Sequence, residues 1–259
     1  YRDAAGAEPN IFPGFLALWG KKLRHEVTPE SFAAYVYALL GHAGFVERFW
    51  DELEDCQLRI PLVLDAKLFD KAVDAGARLL FLHTYGERFA PKGKKAADVP
   101  TGKAKNTEPV SDKPADYPEK FEYIEQSRTL RVGNGAFVPV DPAIWKYEVS
   151  GLQVVRSWLG YRMKDRKGKK SSPLDDIHPE RWTSDFTDEL LRLLWILEHT
   201  LAMEPELTKL LDAVCAGPLL LAPDLPPVPA HLRKPPRARD DGGLFRGAKD
   251  EEGDDDDGD

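Results

Sequence analysis

Residues 28–40 read Thr-Pro-Glu-Ser-Phe-Ala-Ala-Tyr-Val-Tyr-Ala-Leu-Leu. Thr28 has a side-chain oxygen able to cap a helix, and Pro29 stands at the first helical position, where its missing N–H costs nothing. Phe32, Tyr35, Val36, Leu39 and Leu40 then recur at i, i+3, i+4, i+7 and i+8, one face of an amphipathic helix. Gly41 and Gly44 are expected to break it. A second helix is predicted to carry Phe45, Phe49, Trp50 and Leu53. Residues 60–64 contain Pro61 and read as a loop or edge strand. Asp65 is a capping residue for a third helix whose apolar face is Leu68, Ala72, Ala75, Leu79 and Leu82. Toward the N-terminus, Ile11, Phe12, Phe15, Leu16 and Trp19 form an apolar cluster without a clear period. Residues 1–89 are therefore expected to form an N-terminal helical part.

The pattern changes further on. Residues 90–118 are rich in Pro, Lys, Ala, Asp and Gly and lack apolar periodicity, so a flexible linker or insertion is expected. Its Lys92, Lys94, Lys95, Lys103 and Lys105 suit a solvated tether. Residues 119–222 are expected to join a β-hairpin region to helices. Phe121–Ile124 and Thr129–Val132 are strand candidates, Asn134-Gly135 is a hairpin-turn dipeptide, and 136–140 is the returning strand. Asp141-Pro142 opens a short helix with Trp145. Residues 151–163 are predicted as a helix bearing Leu152, Val155, Trp158 and Leu159. Ser184 is the expected cap of a long helix carrying Phe186, Leu190, Leu193, Leu194, Leu197 and Leu201. Pro205 is expected to start a separate helical piece, ended by Gly217-Pro218. Residues 223–259 are Pro-rich, then Asp-rich, the composition of a disordered tail. The fold class is α+β and mostly helical: a helical subdomain, a small antiparallel β-hairpin region, long C-terminal helices and a disordered acidic tail.

Charge has to be read by position. The 259 residues carry 36 Lys+Arg and 44 Asp+Glu, a net charge of −8. Residues 240–259 hold ten of the acids and two of the bases, so residues 1–239 are balanced at 34 each. The acidity that would argue against a nucleic-acid partner belongs to the tail. Six Trp and 42% hydrophobic residues are enough for a substantial core. Two cysteines, Cys56 and Cys215, make neither a disulfide framework nor a zinc site, which suits the reducing cytoplasm. No apolar run approaches the roughly 20 residues that span a bilayer. Residue 1 is Tyr, so a piece of a longer protein, or one trimmed at its start, is expected.

Catalytic motifs are not visible. A base-methylating enzyme needs an Asn/Asp-Pro-Pro-aromatic turn to hold and stack the flipped base. Pro226-Pro227 and Pro235-Pro236 are not followed by an aromatic. Gly133-Asn134-Gly135 lies between two strand candidates and so reads as a turn, not a cofactor loop. The six histidines show no i, i+4 pair and no Cys neighbour, the pattern of ordinary core or surface residues. Asp51 with Asp65-Ala66-Lys67 has nuclease-like spacing, but a helix cap accounts for Asp65. One segment stands out: Arg162-Met-Lys-Asp-Arg-Lys-Gly-Lys-Lys170, with six cations and one acid in nine residues. Two readings are open for it, a solvated helix end and a phosphate-contacting loop.

Several blocks taken together resemble a known family. They are the 28–40 stretch, Phe45-Val-Glu-Arg-Phe49, Arg59-Ile-Pro-Leu62, Leu68-Phe69 through Gly76, Leu79 to His83, Ile144-Trp145, Gly151-Leu-Gln-Val-Val-Arg-Ser-Trp-Leu159, Asp165-Arg-Lys-Gly168, and the segments 189–201 and 210–218. In order, over about residues 10–220, they resemble the C-terminal specificity region of type ISP restriction-modification enzymes and their DNA-methyltransferase relatives. The resemblance implies a target-recognition part that selects double-stranded DNA for methylation at the adenine amino group. S-adenosylmethionine would be bound by a methyltransferase domain of the same or a partner chain, with no cofactor in this one. It favours the phosphate-contacting reading of 162–170, making Arg162, Lys164, Arg166, Lys167, Lys169 and Lys170 candidates for DNA contact together with Arg131 and Arg156. Arg128, Arg131, Asn134 and Gln153 are candidates for base edges. The rival readings are a protein-interaction module that binds no DNA and an intact enzyme with a hidden site.

Overall fold

The computed structural model describes residues 9–55, 58–91, 93, 99–164 and 180–229. The N-terminal apolar cluster becomes helix α1 (Phe15–Leu23), which buries Trp19 and Leu23. Thr28 then caps as predicted. Its hydroxyl oxygen accepts the Ser31 N–H at 3.1 Å, and the Ser31 hydroxyl accepts the Thr28 N–H at 2.9 Å. This reciprocal box starts α2 (Pro29–Leu40), with Gly41 as its C-cap. The predicted second helix is two short ones, α3 (Ala43–Arg48) and α4 (Trp50–Glu54), and Gly44 lies inside α3 instead of ending a helix. Asp65 caps α5 (Ala66–His83), its carboxylate accepting from the Lys67 N–H at 2.8 Å and the Leu68 N–H at 3.1 Å.

Small residues bring α2 and α5 close together. A Cβ on Gly76 would lie 1.8 Å from the Ala34 carbonyl oxygen, so only glycine allows this approach. Around the contact, the rings of Trp19, Tyr35 and Phe69 pack with centroids 5.1–5.4 Å apart. Their polar ends hold the 60–64 segment. The Trp19 indole N–H donates to the Val63 carbonyl at 2.9 Å, and the Tyr35 hydroxyl donates to the Pro61 carbonyl at 2.7 Å. Val63 in turn makes a single antiparallel bridge to Leu219.

The expected linker contains an edge strand, β1 (Lys105–Glu108), and Val99, Ala104, Val110 and Tyr117 around it are buried. The strand was hidden because Lys-Asn-Thr-Glu has no apolar alternation and a bulge interrupts it between Asn106 and Glu108. The Asn106 amide donates to the carbonyls of Glu108 and Ala136 and so stabilises that bulge. β2 (Phe121–Ile124), β3 (Thr129–Val132) and β4 (Gly135–Val138) complete an antiparallel sheet of order β1-β4-β3-β2. The β3–β4 turn falls on Gly133-Asn134, one residue earlier than predicted, and Gly135 opens β4. A Cβ on Gly135 would sit 2.5 Å from Val110, so packing, not turn geometry, requires this glycine.

α6 (Pro142–Lys146), capped by Asp141, follows as expected. The helix predicted over 151–163 begins later. β5 (Glu148–Val149) and β6 (Leu152–Gln153) first form a small hairpin, and α7 spans Val154–Gly160. Ser150 and Gly151, with φ of 50° and 81°, form the two-residue turn that displaces the helix.

The last element is α8 (Ser184–Ala216). Thr183, not Ser184, is its cap, accepting from the Phe186 N–H at 3.3 Å. The helix runs through Pro205 as one 33-residue rod, not two pieces. Pro205 is exposed, so the Leu201 carbonyl that it leaves without a helical partner lies on the water-facing side. Leu190, Leu193, Leu194 and Leu197 enter a core with the sheet, α6 and α7. Met203, Leu207, Leu210, Leu211 and Val214 enter a second core with α1, α2 and α5.

His83 ties three helices together. Its Nδ1 is 2.8 Å from the Tyr37 hydroxyl and its Nε2 is 2.9 Å from Thr200 Oγ1. The Thr200 hydroxyl donates to the Ile196 carbonyl at 2.8 Å, so it accepts from Nε2–H, and Nδ1 accepts from Tyr37. The ring is neutral, and burial lowers its pKa. Burial lowers that of His42 as well, with Glu47 partly opposing. Because the folded pKa lies below the unfolded one, stability is complete above the ordinary histidine range and is lost as the pH falls through it. We expect the urea midpoint to drop between about pH 7.5 and 5.5, and His83→Gln to flatten that slope. A midpoint independent of pH in this window would contradict the assignment. For the helix crossing, Gly76→Ala is expected to cost about 2–3 kcal/mol in urea unfolding.

Candidate nucleic-acid interface

Arg131 projects from the open face of the sheet. It pairs in register with Ala136, and Ala136 with Glu108, so the small alanine leaves a path across β4. The guanidinium follows that path to Glu108, at 3.1 Å. Arg128, in a left-handed backbone conformation, stands 3.7 Å from Asp141. The Asn134 side-chain oxygen accepts the Ser111 N–H at 2.9 Å. Lys164 is anchored at both ends, its N–H to the Pro118 carbonyl at 2.9 Å and its ammonium to Glu119 at 3.1 Å. These cations each face a carboxylate on the surface. Such exposed pairs contribute about 0–1 kcal/mol, so exchange for a phosphate is cheap.

Arg162 is different. Its guanidinium lies 3.8 Å from the Trp158 ring centroid and 5.2 Å from that of Phe186. It donates to the Trp158 carbonyl at 3.2 Å and to Glu189 at 3.0 Å, and only a quarter of its side chain is exposed. It clips α7 to α8 and is not available to a ligand without opening that contact. Nothing in the local sequence marks this role, because Glu189 is 27 residues away. Arg166, Lys167, Lys169 and Lys170 lie outside the described residues.

Arg156 is exposed on α7, its guanidinium 4.7 Å from the Trp145 ring centroid. Among the described residues no carboxylate pairs with it. Gln153, at the base of the β5–β6 hairpin, is half-buried one turn before it.

Other surfaces suit phosphate less well. α3 and α4 expose Glu47, Asp51, Glu52 and Glu54 around Trp50, a face that repels an anion. A groove of about 330 Å³ between Ile144 and Leu201 is neutral, with Lys103 facing Glu198 and Arg128 facing Asp141. Among the described residues, no three His, Cys, Asp or Glu side chains come together to hold a metal ion. The carboxylate of Asp65 is occupied by its cap bonds, and Asp51 is exposed on α4.

The type ISP C-terminal specificity domain family matches residues 1–193. The chain belongs to this family. No curated protein sequence matches it. Among solved structures, a DrdV–DNA complex determined by cryo-EM resembles it with a TM-score of 0.47 and 15% identity, over 78% of this chain and 20% of that one. The chain thus spans about a fifth of the length of that neighbour.

Within this specificity domain the predicted cations therefore divide by burial and partner. Arg162 belongs to the packing between α7 and α8. Arg131, Lys164 and Arg156 remain accessible. No helix among the described residues is long and apolar enough to cross a membrane. We expect Arg162→Ala to lower stability by about 2 kcal/mol in denaturant titrations, through loss of ring stacking and two hydrogen bonds. Arg131→Ala should stay within about 0.5 kcal/mol of the parent. Equal costs for the two substitutions would refute this division.

Proposed function

We propose that the chain is the DNA target-recognition part of a restriction-modification enzyme that methylates the amino group of adenine. Membership of the type ISP specificity family carries this reading. It is supported by the run of cations after α7 and by Arg131, Lys164 and Arg156 on exposed surfaces. Phosphate contacts from Arg131, Lys164 and the basic run would set the position of the duplex, without reading its sequence.

Methylation itself belongs elsewhere in this reading. The glycines at 133 and 135 flank a turn between two strands, and no helix follows that turn to cradle a cofactor. In this reading S-adenosylmethionine is bound elsewhere. A methyltransferase domain of the same or a partner chain would supply it. The acidic α3–α4 surface with exposed Trp50 is suited to such a protein contact, since it repels DNA.

The test is a binding titration with mixed-sequence duplex DNA at several salt concentrations. The chain should bind at low salt with a steep salt dependence. Lys169→Ala/Lys170→Ala should weaken binding to all sequences and reduce the logarithmic salt slope by about 1 per lost phosphate contact. An unchanged slope would remove the basic segment from the interface. Absence of affinity at low salt would favour the protein-interaction reading.

A further inference from the structure

The β5–β6 hairpin has a composition that its packing does not explain. Glu148 pairs directly with Gln153, and Val149 with Leu152. Side chains alternate across a strand, so one face of this ribbon carries a carboxylate and an amide and the other carries two aliphatic groups. The aliphatic pair is not buried: Val149 is 52% and Leu152 is 54% exposed. The turn between them projects from the body. A Cβ built on Gly151 would meet nothing within 4 Å. The base of the ribbon, by contrast, is fastened, with the Val154 N–H donating to the Tyr147 carbonyl at 3.1 Å. Immediately beyond it, Arg156 rests on the ring of Trp145, which itself stacks on Tyr123 at 5.1 Å.

We infer that the β5–β6 hairpin, with Arg156 at its base, is the element that enters the major groove of the target and reads bases. This rests on the DNA-recognition reading above and goes beyond it by naming the specificity-determining residues. Two observations point to a duplex and not to a protein surface. The first is size: two strands about 4.8 Å apart with their side chains fit a major groove about 12 Å wide. The second is charge. Arg156 is the accessible candidate cation that has no carboxylate partner among the described residues, and ring stacking holds its guanidinium without consuming its hydrogen-bond donors.

The chemistry of the residues matches base edges. An arginine with free donors suits the N7 and O6 of guanine, and a glutamine amide suits the N7 and N6 of adenine. A glutamate accepts from the cytosine amino group, and aliphatic side chains pack on the thymine methyl. Glu148 would be repelled by phosphates, so its place at the ribbon makes sense at a base edge and not along the backbone. The hairpin thereby separates sequence reading from the phosphate contacts made by other cations.

Selection from a randomised duplex library tests this, using the full chain. The parent should enrich one sequence motif. Arg156→Ala and the double variant Val149→Ser/Leu152→Ser should each relax the motif at one or two positions, with discrimination there reduced about tenfold. All of these side chains are exposed, so folding should be preserved, and circular dichroism of each variant checks that. The salt slope should change by no more than about 1 for Arg156→Ala and not at all for the double variant. If the parent enriches a motif and both variants enrich it with equal discrimination, the hairpin assignment is wrong while DNA recognition stands. If the parent enriches no motif, target recognition by this chain fails and the hairpin assignment falls with it.

Discussion

One helix forms a wall of both hydrophobic cores. Along α8, Leu190, Leu193, Leu194 and Leu197 close the core of the sheet, and Met203, Leu207, Leu211 and Val214 close the core of the N-terminal helices. Burial of each such leucine contributes about 2 kcal/mol, so neither core is complete without its half of the rod. The polar link through His83 reinforces the junction. It connects Tyr37 on α2 and Thr200 on α8, close to where one set of leucines gives way to the other. The position of the sheet, and of everything mounted on it, follows from this arrangement.

Mounted there are cations in three physical states. Some are paired with exposed carboxylates across the surface, as Arg131 is with Glu108. One, Arg162, is held between aromatic rings and serves the packing. One, Arg156, is stacked but electrically unanswered among the described residues. A count of basic residues treats these as equivalent. Their availability to an anion differs because desolvation, hydrogen bonding and ring contacts differ, and that ordering emerges only from the folded geometry.

Strong local rules were legible in the sequence. Caps at Thr28, Asp65 and Asp141, the helical face after Thr28 and the strands at 121–124 and 129–132 all rest on interactions within a few residues. What was not legible depended on distant partners. β1 is polar and bulged, and it becomes a strand because β4 offers it a ladder. α8 continues past Pro205 because two cores hold its flanks and water reaches the proline side. Of the interface, the family blocks and the basic run could be read in advance. The capture of Arg162 by Glu189 could not, nor the exposure of Val149 and of Leu152, the latter expected in a helix that starts only at Val154.

The continuity of α8 also sets a rule of helical phase. Each residue of an α-helix advances the chain by about 1.5 Å and turns it by about 100°. An insertion or deletion of a single residue between Leu197 and Met203 would rotate one row of leucines away from its core while the other stayed in place. A change of length is accommodated more readily in a connection such as the β5–β6 turn, where a Cβ on Gly151 would meet nothing within 4 Å. The spacing between the two halves of the rod works as a fixed gauge: the surface elements can change, provided the angle between the two leucine rows does not.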